Sequence, residues 1–212
     1  MPIVVLSASG TYQDLLDGLA ANFLNANTDV TVTDDITMAQ FVTLNTSFDV
    51  VTFDGPTKLS TASDTLAHLN AAFTAGLLYS ETDVAVSDTV SYADLSALGG
   101  HVHSVSAAIL EDSIANIQLA VAAGYTTAAT SVTVTSNTTM NEFITLDAAV
   151  GTVTFAPTVT TLATASATSA QLDAALTAGL LTGATNVTVS DNISMAQFIT
   201  LDDDFAGVTF TG

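Results

Sequence analysis

The chain has 212 residues, enough for one domain or two small ones with a sizeable apolar core. Twenty-one acidic residues stand against a single basic one, Lys58, for a formal net charge of −20. This balance excludes nucleic acid and anionic membranes as partners, because neutralising phosphate groups requires Lys and Arg. The chain contains no cysteine, which excludes disulfides, thiolate metal sites and Cys nucleophiles.

The N-terminal sequence Met-Pro-Ile-Val-Val-Leu lacks the basic region and the long apolar run of a cleaved secretory signal peptide. No apolar stretch approaches the roughly 20 residues of a membrane span. We therefore predict that the protein does not insert into membranes. If it is exported, we expect a route that does not use a cleaved N-terminal signal.

Four segments of the chain share one strand–helix–strand pattern. A first strand, of the type Val-Thr-Val, begins at Val30, Val84, Val132 and Val187. A second strand, Val-Thr-Phe in three copies and Val-Ser-Ala in the other, follows 21 residues later in every copy, at Val51, Val105, Val153 and Val208. The constant offset indicates an internal repeat, and the opening run 3–6 adds a ninth strand. We predict one domain with repeat units 1–55, 56–108, 109–156 and 157–212.

Each connection between strands is long enough for a helix. The short connections begin with capping-box pairs, at Thr37–Gln40, Ser91–Asp94, Thr139–Glu142 and Ser194–Gln197. The long connections have apolar residues at helical spacing and predict a second set of helices at 12–23, 65–78, 113–123 and 169–181. The Pro-containing segments 56–63 and 157–168 are predicted to be surface loops.

Strands that recur every 21 to 34 residues with a helix between them are expected to be parallel. Within each first strand, Val alternates with Thr, Ser or Ala, as in Val187-Thr188-Val189. Strands with helices on both faces are apolar throughout, so the alternation predicts helices on one face only. The predicted fold is an α/β, right-handed solenoid similar to leucine-rich repeats, with nine parallel strands in sequence order.

These repeat units resemble a known family. Units such as Val187-Thr-Val-Ser-Asp-Asn-Ile-Ser-Met-Ala-Gln-Phe198, with Ala/Leu-rich helices such as 170–181, look like the repeats of large RTX-type, type-I-secreted bacterial surface proteins. The resemblance implies an extracellular, acidic, structural protein, often associated with calcium and exported without a cleaved signal. The glycine-rich calcium-binding nonapeptides of that family do not occur in this sequence.

Acidic residues follow the first strand in three of the four copies: Asp34, Asp35, Asp88 and Asp191. If each strand of the solenoid forms one rung and these positions stack from rung to rung, their carboxylates form a ladder suited to Ca²⁺, a cation that prefers oxygen ligands. The alternative is that Asp ends the strand and prepares the next helix cap, with no metal. The third copy has Ser136-Asn137 at this position, which favours the second interpretation. No cofactor is predicted to be required.

No arrangement of residues in the sequence predicts catalysis. His101 and His103 flank Val102 but have no third potential ligand nearby in sequence, and Ser does not occur in a nucleophile-elbow motif. No phosphate-binding loop is present. We therefore do not expect an enzyme.

The outward positions of the predicted strands carry mostly Thr: Thr31, Thr133 and Thr188, with Thr52, Thr154 and Thr209 on the alternate rungs. A ladder of Thr hydroxyls is similar to the binding surface of some ice-binding solenoids. Thr is also the β-branched polar residue that suits any exposed strand. An ice- or glycan-binding module is therefore the alternative function.

The two ends of the repeat array suggest assembly. The sequence begins in one predicted strand, Ile3, Val4, Val5 and Leu6, and stops in another, Val208, Thr209 and Phe210. Solenoids usually shield such strands with polar capping repeats, and neither end has one. A head-to-tail contact between copies does not close on itself and propagates as a filament. The sequence thus predicts a structural, self-associating homopolymer of a bacterial extracellular filament, surface layer or matrix; the alternative is a piece of a longer repeat protein.

Overall fold

The computed structural model describes residues 5–55 and 58–211, and in these residues the chain forms eleven strands and eight helices. The strands are β1 (Ser7–Gly10), β2 (Asp29–Val32), β3 (Val51–Phe53), β4 (Thr61–Asp64), β5 (Asp83–Val90), β6 (Ser104–Asp112), β7 (Ser131–Val134), β8 (Thr152–Phe155), β9 (Thr164–Ala167), β10 (Asn186–Val189) and β11 (Gly207–Phe210). The helices are α1 (Tyr12–Ala20), α2 (Met38–Ser47), α3 (Leu66–Thr74), α4 (Tyr92–Gly99), α5 (Ile114–Ala122), α6 (Met140–Asp147), α7 (Ser169–Ala178) and α8 (Met195–Asp204).

The strands form three sheets, with the orders β1-β2-β3, β4-β5-β6-β7-β8 and β9-β10-β11. The pairs β1–β2, β2–β3, β4–β5, β6–β7, β7–β8, β9–β10 and β10–β11 are all parallel. The predicted α/β class, with parallel strands in sequence order, is confirmed. The prediction of one nine-stranded sheet is wrong, because the described residues form separate sheets of three, five and three strands.

The length of the connecting segments explains where the sheets separate. Parallel neighbours need a crossover of about a dozen residues or more. Only residues 54–60 connect β3 to β4, and only residues 156–163 connect β8 to β9. These segments are too short for such a crossover, so β4 and β9 each begin a new sheet. In the second repeat no break occurs, because β6 continues directly from residues 104–107 into residues 109–112.

A third class of strand therefore precedes each long helix. It consists of β1, β4, β9 and the second half of β6. Each member pairs with the first-type strand that begins 22 residues later, in the registers Ala8↔Val30, Ala62↔Val84, Leu110↔Val132 and Ala165↔Val187. Three of its four members, β1, β4 and β9, are rich in Ala and Ser and contain no Val or Ile, so they carry little of the residue preference that signals a strand. The prediction that segments 56–63 and 157–168 are loops is wrong where β4 and β9 occur. The predicted opening strand is also misplaced, because Val5 and Leu6 precede β1; Ile3 and Val4 lie outside the described residues.

The chain divides into two compact units. The first contains residues 1–88 and 94–106, and the second contains residues 89–93 and 107–212. In the first unit, Val32, Phe41 and Leu69 are completely buried between the sheets and helices. Their equivalents in the second unit, Val134, Phe143 and Leu172, are buried to the same extent.

The two sides of the first-type strands differ as the sequence predicts. In β2, β7 and β10 both Val side chains are buried, whereas the intervening Thr is half-exposed. Because successive side chains of a strand point to opposite faces, one face of each strand belongs to the core and the other is open. The prediction of Val inward and Thr outward is confirmed.

The helices begin at side-chain caps. Thr37, Thr139 and Ser194 form predicted capping boxes. In each, the hydroxyl accepts a hydrogen bond from the N3 amide, and the N3 side chain accepts one from the N-cap amide. The long helices have caps of their own at Thr11, Thr65, Ser113 and Thr168. After each long helix one residue takes a left-handed conformation, with φ of 60°, 81°, 77° and 87° at Asn22, Gly76, Gly124 and Gly179. Gly and Asn adopt this conformation at the least cost.

We expect Thr139→Ala to lower the free energy of unfolding by about 1 kcal/mol, because the Glu142 amide at the start of α6 loses the Thr139 hydroxyl as its acceptor, and the Glu142 carboxylate loses the hydrogen bond that this hydroxyl donates. Urea unfolding monitored by circular dichroism measures the change. Thr145→Ala, an exposed substitution within the same helix, is the control. It should be neutral or slightly stabilising, because Ala favours helix more than Thr does. Equal losses in the two variants would contradict a capping role.

Candidate functional site: contacts between rungs and the exposed repeat faces

One threonine in each repeat is buried completely. It lies two positions before the first Val of the first-type strand, and the four residues, Thr28, Thr82, Thr130 and Thr185, are all 0% exposed. A buried hydroxyl is costly unless it is hydrogen-bonded. The only sign of this residue in the sequence is a Thr at constant offset before each Val-x-Val run, and in a chain rich in Thr this offset does not stand out.

Each buried threonine connects three successive rungs. The Oγ1 of Thr130 donates to the carbonyl oxygen of Ala107 at 2.7 Å and accepts from the amide of Thr127 at 2.9 Å. Its own carbonyl accepts from the amide of Gly151 in the following rung. The same side-chain donation reaches a carbonyl 23 residues earlier in the other copies, at 2.6–2.8 Å, from Thr28 to Val5, Thr82 to Leu59 and Thr185 to Leu162.

Three of the carboxylates considered for a metal ladder accept hydrogen bonds from helix N-termini. The Oδ1 atoms of Asp34, Asp88 and Asp191 each accept a hydrogen bond at 2.8 Å from the first backbone amide of the long helix before them in the chain. The donors are the amides of Tyr12, Leu66 and Ser169. In the third copy the hydroxyl of Ser136 accepts from the Ile114 amide at 2.9 Å. A hydroxyl can replace the carboxylate because the position requires only an acceptor, and this explains the copy without Asp.

The structure does not bring the predicted calcium ligands together. Nowhere in residues 5–55 and 58–211 do three or more His, Asp or Glu side chains form a group that could hold a metal ion. Asp35, the fourth predicted ligand, is exposed directly after Asp34. Asp34, Asp88 and Asp191 thus have a structural use as helix caps that needs no metal.

The histidines have local partners. The Nδ1 of His103 lies 2.8 Å from Asp83 Oδ1, and Ser104 Oγ donates to the same oxygen at 2.5 Å. Both hydrogen bonds lower the pKa of Asp83, and the hydrogen bond from Ser104 has the larger effect. In a nucleophilic triad the hydroxyl donates to the imidazole, whereas here it donates to the carboxylate. The His101 ring stacks on Phe73, with ring centroids 4.5 Å apart.

The open strand face carries three threonine pairs. The hydroxyls of Thr31 and Thr52, Thr133 and Thr154, and Thr188 and Thr209 lie 3.0, 3.1 and 2.9 Å apart. The second member of each pair also donates toward a backbone carbonyl of the neighbouring strand at 3.1 Å. These hydroxyls therefore hold neighbouring strands in register. In the second repeat Ala85 and Ser106 take the corresponding positions.

An apolar surface is exposed in the fourth repeat. We call it the fourth-repeat face and define it as Met195, Phe198, Ile199 and Phe210. Met195 is 72% exposed, whereas its equivalents in the first and third repeats, Met38 and Met140, are 9% and 8% exposed. Phe198 is half-buried, whereas Phe41 and Phe143 are completely buried. The same residue types are thus covered in two repeats and uncovered in the fourth.

The exposed face keeps the geometry of its buried equivalents. The rings of Phe198 and Phe210 lie 5.9 Å apart and are tilted by 35°. The corresponding pairs Phe41–Phe53 and Phe143–Phe155 lie 6.3 and 6.1 Å apart at tilts of 38° and 46°. The fourth-repeat face therefore has the shape of a buried contact surface, and Asp191, Asn192 and Ser194 line the groove beside it.

A second apolar side chain is exposed in the first repeat. Phe23, after α1, is 68% exposed, whereas Leu77 and Leu180 occupy the same position after α3 and α7 and are completely buried. We call the surface formed by β1, α1 and Phe23 the first-repeat face. Sequence reasoning missed both exposed side chains, because Met195 is the same residue type as its buried equivalents and Phe23 is a large apolar residue like Leu77 and Leu180.

Of the predicted interface residues, Ile3 and Val4 lie outside the described part of the chain, and the others belong to these two faces or adjoin them in sequence. Val208, Thr209 and Phe210 are in β11, and Phe210 is 51% exposed. Leu6 is 71% exposed, and the carbonyl of Val5 accepts the hydrogen bond from Thr28. Neither Val5 nor Leu6 lies in a strand.

Every helix among the described residues is too short or too polar to cross a membrane. No family model matches the chain, and no curated protein and no solved structure matches it significantly.

We expect Thr130→Val to lower the free energy of unfolding by about 1–3 kcal/mol, because it leaves the Ala107 carbonyl and the Thr127 amide without this partner at a buried position. Thr135→Val, at an exposed position after β7, is the matched control and should change stability by less than about 0.5 kcal/mol. Chemical denaturation of both variants provides the measurement. A neutral Thr130→Val would show that the buried hydroxyl is not required.

The hydrogen bond from the Ser169 amide lowers the pKa of Asp191 below its ordinary value of 3.8. A lowered folded-state pKa stabilises the protein above the unfolded-state pKa, and this stabilisation is lost as the pH falls through the folded-state pKa. We therefore expect Asp191→Asn to lower the melting temperature at pH 7, by an amount that shrinks below about pH 3.8.

Asp203→Asn removes the same charge from an exposed position on α8 and serves as the control in this experiment. It should leave the melting temperature unchanged or raise it slightly, since it reduces the net negative charge. A loss for Asp191→Asn that is equal at pH 7 and pH 3 would contradict the role of the charged carboxylate.

Proposed function

We propose that this chain is a structural α/β solenoid protein that associates with further copies of itself in a bacterial extracellular filament, surface layer or matrix. The fourth-repeat face carries the proposal. Two of its apolar side chains, Met195 and Phe198, are equivalent to side chains that are buried in the first and third repeats of the same chain. A surface of this kind is typical of a contact with another repeat.

The balance between apolar burial and charge repulsion makes the association depend on salt. Burying apolar surface contributes about 25 cal/mol per Å², so covering Met195 and Phe210 stabilises a joint by a few kcal/mol. A net charge of −20 on every copy opposes the contact. Salt reduces this repulsion, because the Debye length is about 10 Å at 0.1 M ionic strength. Association should therefore be weak at low salt and stronger at high salt or with a divalent cation such as Ca²⁺.

The extracellular setting and the association with calcium follow from the likeness of the repeats to those of RTX-type surface proteins. The composition agrees with this setting, since an acidic chain without cysteine depends on neither disulfides nor a reducing compartment. In this proposal Ca²⁺ bridges negative charges between copies and is not required for folding of the chain.

The second candidate is an ice- or glycan-binding module. The observation in its favour is the set of three threonine pairs on the open strand face. Two facts weaken it: the hydroxyls are already engaged with one another and with backbone carbonyls, and the second repeat has Ala85 in the row. A chain that stays monomeric at all concentrations and binds ice or glycan would favour this candidate.

We expect the average mass measured by light scattering to rise with protein concentration and with salt, and Met195→Asp to shift this rise to at least about tenfold higher concentration. Leu119→Asp is the control, because it adds the same charge at a side chain that is 50% exposed on α5. It should assemble as the parent does.

Two results would count against the proposal. The parent chain could remain monomeric at every salt and calcium concentration, or Met195→Asp and Leu119→Asp could weaken association equally. The first excludes self-association, and the second reduces it to nonspecific attraction. Circular dichroism of each variant confirms that the fold is unchanged.

A further inference from the structure

We infer that the fourth-repeat face of one copy receives the first-repeat face of a second copy, and that the joint repeats a contact already present twice inside the chain. This inference rests on the proposed self-association and goes further by naming both surfaces. It also replaces the predicted pairing of two terminal strands with a contact between side chains.

The same packing of a helix against the strand and helix that follow it occurs once in each unit. In the first unit, α2 packs against β4 and α3; in the second, α6 packs against β9 and α7. In both places the strands on the two sides belong to different sheets, so backbone pairing between β3 and β4 or between β8 and β9 does not contribute. The contact is made by the helix on one side and by a strand and a helix on the other, and Met38 and Met140, the first residues of α2 and α6, are buried.

Helix α8 is the fourth-repeat equivalent of α2 and α6. It has the same capping box and starts with Met-Ala-Gln-Phe, the sequence that starts α2. Its Phe198 packs on Phe210 as Phe41 packs on Phe53. Helix α8 differs from α2 and α6 in its surroundings, because no equivalent of β4–α3 or β9–α7 covers it within the described residues. Met195 and Ile199 are therefore exposed.

The segment β1–α1 is the first-repeat equivalent of β4–α3 and β9–α7. Thr11, Thr65 and Thr168 cap the three helices. Leu15, Leu69 and Leu172 are their buried central residues. Each helix is followed by a residue with positive φ and then by a large apolar side chain, which is Phe23 in the first repeat and a buried Leu in the other two. A second copy therefore carries, on an exposed surface, the kind of segment that covers α2 and α6.

The charges at the joint agree with an association that depends on salt. Helix α1 carries Asp14 and Asp17, and α8 carries the run Asp202–Asp204. No Lys or Arg lies on either side, since the chain has a single basic residue, Lys58. The apolar contact must overcome this repulsion, so low salt favours separate copies.

Variants blocked at one face each provide the test. Phe23→Asp blocks the first-repeat face, and the double substitution Met195→Asp with Phe210→Asp blocks the fourth-repeat face; all three positions are more than half exposed. Each variant alone should remain monomeric at concentrations at which the parent forms large oligomers. An equimolar mixture should form a 1:1 dimer, because each variant keeps one intact face, and light scattering coupled to gel filtration should record the mass of two chains.

The outcomes separate this inference from the proposed function. A dimer in the mixture, with neither variant associating alone, supports the joint between the two faces. If the parent assembles but Phe23→Asp alone still dimerises, the fourth-repeat faces pair with each other and the inference is wrong. If the parent assembles and neither variant is impaired, the contact lies elsewhere. If the parent never assembles, the proposed function fails together with the inference. Leu119→Asp, which should assemble as the parent does, controls for the added charge.

Discussion

The buried threonine before each first-type strand is the contact on which the spacing of the rungs depends. Its hydroxyl binds a carbonyl 23 residues earlier, and its carbonyl accepts an amide 21 residues later, as at Thr130 with Ala107 and Gly151. Because the side chain is completely buried, a partner that moved away would leave an unsatisfied polar group in an apolar environment. The lengths of both helical connections must therefore stay constant, which explains why the offsets recur unchanged through four repeats whose other residues vary.

The second contact between rungs explains the unusual composition. An Asp after the first-type strand accepts the first amide of a long helix in three copies, and Ser136 does so in the third repeat. Carboxylates at helix N-termini are favourable, because the amides there lack partners within the helix and the helix dipole is positive. Many acidic side chains thus bind backbone donors instead of Lys or Arg. A fold held in this way can have 21 acidic residues and one basic residue without buried charges that lack a partner, at the cost of repulsion between copies.

Because the chain contains structural repeats, the exposure of a side chain in one repeat can be compared with that of its equivalents in the others. An exposed Met or Phe on a protein surface is common and carries little information. Here the same positions occur in several structural copies: Met38 and Met140 are buried, and the helices that carry them pack against β4 and α3 and against β9 and α7. The contrast with Met195 is the observation on which the proposed contact between copies rests. The Phe198–Phe210 pair keeps the ring arrangement of Phe41–Phe53 and Phe143–Phe155, so in the proposed contact the face would already be formed before a second copy binds. A preformed surface loses less conformational entropy on association.

The sequence by itself determined the features that depend on local pattern. The Val-x-Val alternation predicted the buried and open sides of the strands, and the Thr-x-x-Gln spacing predicted the caps at Thr37 and Ser194, because both depend on neighbours only a few residues away. Tertiary structure decided the rest. The Ala/Ser-rich strands β4 and β9 exist because the neighbouring strands β5 and β10 provide backbone partners, and residues 54–60 and 156–163 are too short for a parallel crossover, so the sheet divides. Likewise, Met38 and Met195 are the same residue in the same local sequence. Their difference in exposure, 9% against 72% among the described residues, is set by what packs on each helix and is not encoded in that local sequence.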